Sequence, residues 1–280
     1  MIMATSVLLG ACTQEAKQAE DSAPLIGRSE VKVPNGVLTP EVLYSMARVS
    51  DPQLSPDGSK VLYGVTFMSI EQNRGNRELF VMNPDGSDKK QITHTPQSEQ
   101  NAVWINGGKE IAFLSNEGGS SQIWIMDADG NNRRKVSRYE GGMNGFLLSP
   151  DETKVLFFAD IKYGQRTVDV YPDLPKATGR IVDDLMYKHW DEWAETIPHP
   201  FIASFDGRMM GEATDIMAGE PYECPMKPFN GVEDFSWSPD GKKVAYASRK
   251  KQVWSIVSQP IPIFIYMIWK RNRLLIFPKE

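Results

Sequence analysis

The chain has 280 residues, 41% hydrophobic and 24% charged, with a formal net charge of −5. That suits one large or two small globular domains. Acidic and basic residues are mixed throughout, which excludes nucleic acid as a partner; Arg133-Arg134-Lys135 is a short run suited to a solvated turn.

Residues 1–12 are apolar and end in Leu9-Gly10-Ala11-Cys12, similar to a bacterial lipobox whose cysteine becomes the lipidated amino terminus. The positive region of a signal peptide is missing, so the true start is expected a few codons upstream. Residues 13–36 are polar and aperiodic, as a tether should be. With Cys12 lipidated, Cys224 stands alone and no intrachain disulfide is expected. The expected location is the bacterial periplasm or cell envelope, with membrane attachment through this lipid.

Thr39 suits a helix N-cap, Pro40 the first helical position and Glu41 the positive dipole end, predicting about two turns over Val42 to Arg48. Then comes a recurring device. Leu54-Ser55-Pro56-Asp57-Gly58 precedes the strand pattern Lys60 to Tyr63. Leu148-Ser149-Pro150-Asp151-Glu152 precedes Val155 to Phe158, and Phe235-Ser236-Trp237-Ser238-Pro239-Asp240-Gly241 precedes Val244 to Tyr246. A degenerate copy is Trp104 to Gly108 before Ile111 to Leu114. Proline presets the first corner of such a turn, and glycine takes the left-handed position that returns the chain. A second hairpin follows in each unit, as in Glu78 to Gly86 and Gln122 to Gly130. Two hairpins recurring about every 44 residues predict four-stranded propeller blades. The fold expected over 37–251 is all-β: an incomplete β-propeller of about four to five blades with one inserted helix.

That helix is expected at about 179–197. Val182, Leu185, Met186, His189, Trp190 and Trp193 fall on one helical face, and Asp184, Lys188 and Glu192 can pair on another. Pro198 and Pro200 then force an extended exit. Gly219 to Gly231 reads as a Pro-rich connection before the final blade.

Residues 252–280 do not read like the repeat. A membrane anchor is one reading, but Val253 to Trp269 is short of the ~20 residues a span needs and contains Pro260 and Pro262. The favoured reading is a shifted reading frame, since codons permitted from Gln252 onward also encode a polar loop and an alternating strand. On that reading the chain is a truncated gene product.

Leu38-Thr39-Pro40-Glu41 with Arg48 to Gly58 resembles the start of prolyl oligopeptidase family enzymes. Asp184 to Trp193 is similar to the inserted segment of their bacterial dipeptidyl-peptidase 5 and acylaminoacyl-peptidase-like members. The resemblance spans roughly Val37 to Lys251. It implies a propeller over a C-terminal α/β-hydrolase domain, gating short peptides, with release of dipeptides or short peptides from amino termini by the parent enzyme. It implies a ring of seven or eight blades, so an open array of fewer is expected to be marginally stable. It also implies that adjacent acids on the insertion hold the substrate's ammonium group. Asp191 and Glu192 match that context, with Trp190 and Trp193 beside them as substrate-binding candidates.

The catalytic elements are absent. Gly-x-Ser-x-Gly occurs nowhere in the 280 residues, and His94, His189 and His199 lie in propeller segments. No catalytic residue, metal site or cofactor is expected, and the chain alone should have no peptidase activity. The expected partners are peptides and a hydrolase domain. The alternative is a stand-alone protein-binding module similar to the periplasmic TolB propeller, whose blades carry the same turn.

Overall fold

The three Ser-Pro-Asp turns close on their own aspartates in the same way. Ser55 donates its hydroxyl to Asp57 Oδ1 at 2.6 Å, and Lys60 N–H donates to Ser55 Oγ at 2.9 Å. Ser149, Asp151 and Lys154 repeat these bonds at 2.6 and 3.0 Å, and Ser238, Asp240 and Lys243 at 2.6 and 2.9 Å. The serine hydroxyls, with further turn donors, hold Asp57 and Asp151 down at about 2. Gly58 and Gly241 take φ of 70° and 63°, the left-handed position glycine supplies. Glu152 holds the matching place with φ 54° despite its Cβ. Glu152→Gly is therefore expected to raise stability by up to about 1 kcal/mol. A thermal melt checks this; a loss would mean that the side chain contributes more than its backbone strain costs.

The computed structural model describes residues 24–31, 33–182, 188–189, 192–227, 229–248, 263–270 and 273–277. The chain divides into two units, Met1–Gly142 and Met143–Glu280. A short helix, Pro40–Ser45, precedes the first sheet, with Thr39 Oγ1 accepting from Val42 N–H at 3.3 Å. It is shorter than the sequence pattern predicts. Met46 is already extended, and Arg48 to Ser50 pair as strand with Gly64 to Thr66.

The first unit contains two antiparallel four-stranded sheets. One runs β1 (Arg48–Leu54), β2 (Val61–Ser69), β3 (Arg74–Met82) and β4 (Lys90–Gln91). The other runs β5 (Glu99–Ile105), β6 (Glu110–Ser115), β7 (Gln122–Asp127) and β8 (Arg134–Lys135). Each is a meander in chain order, the arrangement expected of a blade. Leu62, Leu79, Val81 and Ile92 from the first pack on Ala102, Ile111, Phe113 and Met126 from the second. Trp104 Nε1 donates to the Gln53 carbonyl at 3.4 Å, and Gln53 Nε2 to the Ala102 carbonyl at 2.6 Å, fixing β1 beside β5.

The second unit repeats this plan. Its first sheet is β9 (Gly145–Leu148), β10 (Lys154–Lys162), β13 (Thr196–Phe205) and β14 (Met210–Asp215). Two short strands, β11 (Lys188–His189) and β12 (Glu192–Trp193), interrupt it. The last sheet is β15 (Phe235–Trp237), β16 (Val244–Ser248), β17 (Ile263–Lys270) and β18 (Arg273–Phe277). Leu156, Phe158 and Ile202 pack on Phe235, Val244 and Tyr246. Trp237 Nε1 donates to the Leu147 carbonyl at 3.4 Å, the counterpart of Trp104 on Gln53. Both exit prolines lie within β13, extended as their sequence demands.

Two expectations meet the structure here. The inserted helix is corrected: β11 and β12 form an antiparallel ribbon, with Lys188 opposite Trp193 and His189 opposite Glu192. Residues 183–187 and 190–191, on which part of the helical pattern rests, lie outside the described residues. The tail supplies β17 and β18, the third and fourth strands the repeat requires, with Val244 opposite Met267 and Tyr266 opposite Phe277. Its 263–270 stretch is a strand rather than a spanning helix, and no helix among the described residues is long and apolar enough to cross a membrane.

Candidate functional site

Where β2 and β3 are joined by residues 70–73, and β6 and β7 by 116–121, the corresponding strands β10 and β13 are separated by residues 163–195. The insertion leaves the sheet through a neck closed by Tyr163 N–H on the Glu195 carbonyl at 2.9 Å. It begins with one helical turn, Thr167–Val170. Asp169 Oδ2 accepts from Arg166 N–H at 2.8 Å and pairs with Lys162 Nζ at 2.6 Å. The Lys162 bond is the largest of the interactions that hold Asp169 down at about 2.

Beyond the turn, the Thr167 hydroxyl donates to the Gly179 carbonyl, and Arg180 pairs with Glu195. The Arg180 guanidinium also lies over Trp193, 4.2 Å from the ring centroid. An arginine stacked on indole keeps donors in its plane for carbonyl or carboxylate groups. These residues wall a cleft of about 490 Å³ lined by Tyr163, Arg166, Thr167, Arg180, Val182 and Trp193, among others. That is within the range of small-ligand sites. Its walls combine aromatic faces with fixed charges of both signs, a surface suited to a zwitterionic or peptide ligand.

Of the four residues singled out from sequence, the structure gives this cleft only Trp193, which is 42% exposed. Trp190 and Asp191 lie outside the described residues, and Glu192 is placed by its backbone in β12. A helical wheel does not apply at Glu192 and Trp193, where the side-chain period is two. Arg180 is the residue the sequence reading missed. Its signal was weak: an arginine 13 positions before a tryptophan has no periodic relation to it.

His199 is fully buried in β13, its Nδ1 2.9 Å from Asp215 Oδ2, while His94 is exposed in a connection. Cys224 is a buried free thiol, its Sγ donating to the Ala247 carbonyl at 3.4 Å. Among the described residues, no group of three or more His, Cys, Asp or Glu is placed to hold a metal ion.

Comparison with known proteins agrees with the blades. The TolB beta propeller domain family matches residues 41–178. Dipeptidyl-peptidase 5 of Porphyromonas gingivalis is 61% identical over 214 residues, covering 76% of this chain and 31% of that protein. Dipeptidyl-peptidase 5 of Porphyromonas endodontalis is 43% identical over 217 residues, covering 78% and 31%. The chain thus spans about a third of the length of these curated relatives. An acylaminoacyl peptidase solved with Z-Gly-Gly-Phe-chloromethyl ketone superposes with a TM-score of 0.59 over 85% of this chain and 33% of that one. At 15% identity that likeness concerns the fold alone. Over most of its length this chain is a β-propeller homologue of the dipeptidyl-peptidase 5 proteins.

Proposed function

We propose that this chain is the non-catalytic, substrate-gating propeller of a dipeptidyl-peptidase-type serine peptidase, with the 163–195 insertion receiving a peptide's free amino terminus. The supporting observation is the 61% identity over 214 residues with a dipeptidyl-peptidase 5. An ammonium group leaving water needs charge-assisted acceptors, and Asp191 and Glu192 are the acids that immediately precede the cleft-lining Trp193 in sequence. Trp193 gives the cleft a flat apolar surface, and Trp190 is the second tryptophan of the same short sequence. The hydrolytic step belongs to a hydrolase domain acting as partner, since the nucleophile elbow is absent from these 280 residues.

The charge-removing pair Asp191→Asn with Glu192→Gln is expected to weaken capture of a short peptide about tenfold or more. Tryptophan fluorescence reads the titration directly. Unchanged affinity would leave the two acids as a solvated surface.

Attachment through Cys12 belongs to the same proposal, placing the protein at the periplasmic side of a bacterial membrane. Stable anchoring takes two or more acyl chains at one terminus. Cys12→Ser is then expected to move the protein from the membrane to the soluble fraction, and an unchanged distribution would remove the lipid.

The TolB beta propeller match over 41–178 favours a second reading, a stand-alone protein-binding module. Affinity for a folded envelope protein, with none for free peptides, would favour that reading instead.

A further inference from the structure

Two buried glutamates meet where the first blade passes to the second. Glu78 on β3 is 2% exposed, and Glu99 at the start of β5 is fully buried. Thr95, in the crossover from β4 to β5, holds both carboxyl groups. Its N–H donates to Glu78 Oε1 at 3.1 Å, and its hydroxyl oxygen lies 2.8 Å from Glu99 Oε1.

The hydrogen bonds assign different protonation states to the two acids. Glu78 accepts from three donors: Asn76 Nδ2 at 2.9 Å, Thr95 N–H at 3.1 Å and the Thr93 hydroxyl at 2.6 Å. Burial pushes the Glu78 carboxyl above its ordinary value, and these three bonds oppose that by favouring the carboxylate. Thr95 Oγ1 lies 2.9 Å from the Gln97 carbonyl and 2.8 Å from Glu99 Oε1, and a hydroxyl has one hydrogen for these two acceptors. Both contacts are satisfied when Thr95 donates to Gln97 and Glu99 donates to Thr95. A proton on Glu99 supplies the missing hydrogen, at the carboxyl group that Arg133 Nη2 also reaches at 2.9 Å.

The charges around the pair favour the same count. Asp51 on β1 pairs with Arg77 on β3 at 2.6 Å, and Arg77 Nη1 donates to the Glu99 carbonyl at 2.6 Å. Arg133, before β8, reaches Glu99 Oε1 and Glu117 Oε2, each at 2.9 Å, with its guanidinium over Phe113 and Trp124. His94 in the crossover is exposed. With all carboxyls ionised, Asp51, Glu78, Glu99 and Glu117 outnumber the paired Arg77 and Arg133 by two, and Arg74 on β3, whose Nη1 donates to the Pro96 carbonyl at 3.0 Å, is the next cation on the crossover. One proton removes half of that excess.

We propose that Glu78 and Glu99 form a one-proton latch between the first two blades, closed while Glu99 is protonated and loosened when the proton leaves. Burial, the largest influence on Glu99, together with the neighbouring Glu78 charge, pushes its carboxyl up to about 7, although Arg133 opposes this. The unfolded chain gives up the same proton near 4.5. Between those values the folded state holds a proton that the unfolded state has released, so stability falls as pH rises through this window. Deprotonation withdraws the donor to Thr95 and sets two buried carboxylates against each other. The crossover 93–97 keeps its bonds to Glu78 and Asn76 and loses the one to Glu99.

The test is thermal and urea unfolding of the full chain between pH 5 and 8.5, beside Glu99→Gln. In the wild type the unfolding constant is expected to rise by up to tenfold per pH unit across the window. Glu99→Gln keeps a neutral donor in place, so the wild-type-minus-variant difference should carry that slope and level off above about pH 7. Taking the difference also cancels His94 and His199. Carbon-13 NMR of the wild-type glutamate carboxyls reads the proton without any variant, and one resonance should titrate near 7. A flat difference profile, or every glutamate titrating below pH 5.5, overturns the latch.

Discussion

Phe113→Ala is expected to cost the first unit about 3–5 kcal/mol, the range for truncating a fully buried aromatic in a well-packed core. Phe113 is 0% exposed and sits on β6 among Leu62, Leu79, Ile111 and Met126, the side chains that join the two sheets. The Arg133 guanidinium lies 4.9 Å from its ring, so truncation also removes one wall of the charge cluster at Glu99. The lost area and the cavity act in the same direction, and neighbouring strands locked by their ladders have little freedom to collapse inward. Urea unfolding of the variant measures the loss. A cost below about 1 kcal/mol would mean that the sheets do not share this core.

Gly130→Ala should be much more damaging than Gly86→Ala, although the two glycines hold the same turn position in consecutive blades. Their φ values are 82° at Gly86 and 92° at Gly130, so the conformational cost of a side chain is common to both. A Cβ at Gly86 meets nothing within 4 Å. At Gly130 it would overlap the backbone carbonyl oxygen of Ile92 and come within 3.1 Å of the Ile92 Cβ. Backbone cannot swing aside as a side chain can, so the turn must move away from the neighbouring blade. The excess cost of the Gly130 variant is expected to be about 1–3 kcal/mol. Equal melting temperatures for the two variants would contradict the close approach of these blades.

The blade repeat was legible because it is carried by local chemistry. Proline, aspartate and glycine at fixed offsets specify a turn whose bonds all lie within six residues, as at Ser55 to Lys60. The apolar stretch after the turn reads as strand, and Leu62, Tyr63 and Val65 are all buried in β2. The insertion was misread because the same residues satisfy two periods. His189 and Trp193 are four apart, as helix neighbours are, yet β11 and β12 are two residues each, too short for an alternating pattern to register. The tail was read as foreign to the repeat because it lacks the turn before a third strand. Its backbone pairs as β17 and β18, a finding that bears on the membrane-anchor reading and not on the reading frame. Glu78 and Glu99 lie 21 positions apart in different blades, and no pattern along the chain links two acids brought together by a crossover. Arg180 over Trp193 escaped notice for the same reason.

A calorimetric titration of the chain with one short peptide, carrying a free amino terminus in one sample and an acetylated one in the other, bears most directly on the proposed gating role. The account predicts saturable binding of the free form and at least a tenfold loss on acetylation. Removing the ammonium charge leaves the acids of the insertion without their partner. Equal affinity for both forms would contradict recognition of the amino terminus, and heat from neither would contradict a peptide-gating propeller altogether.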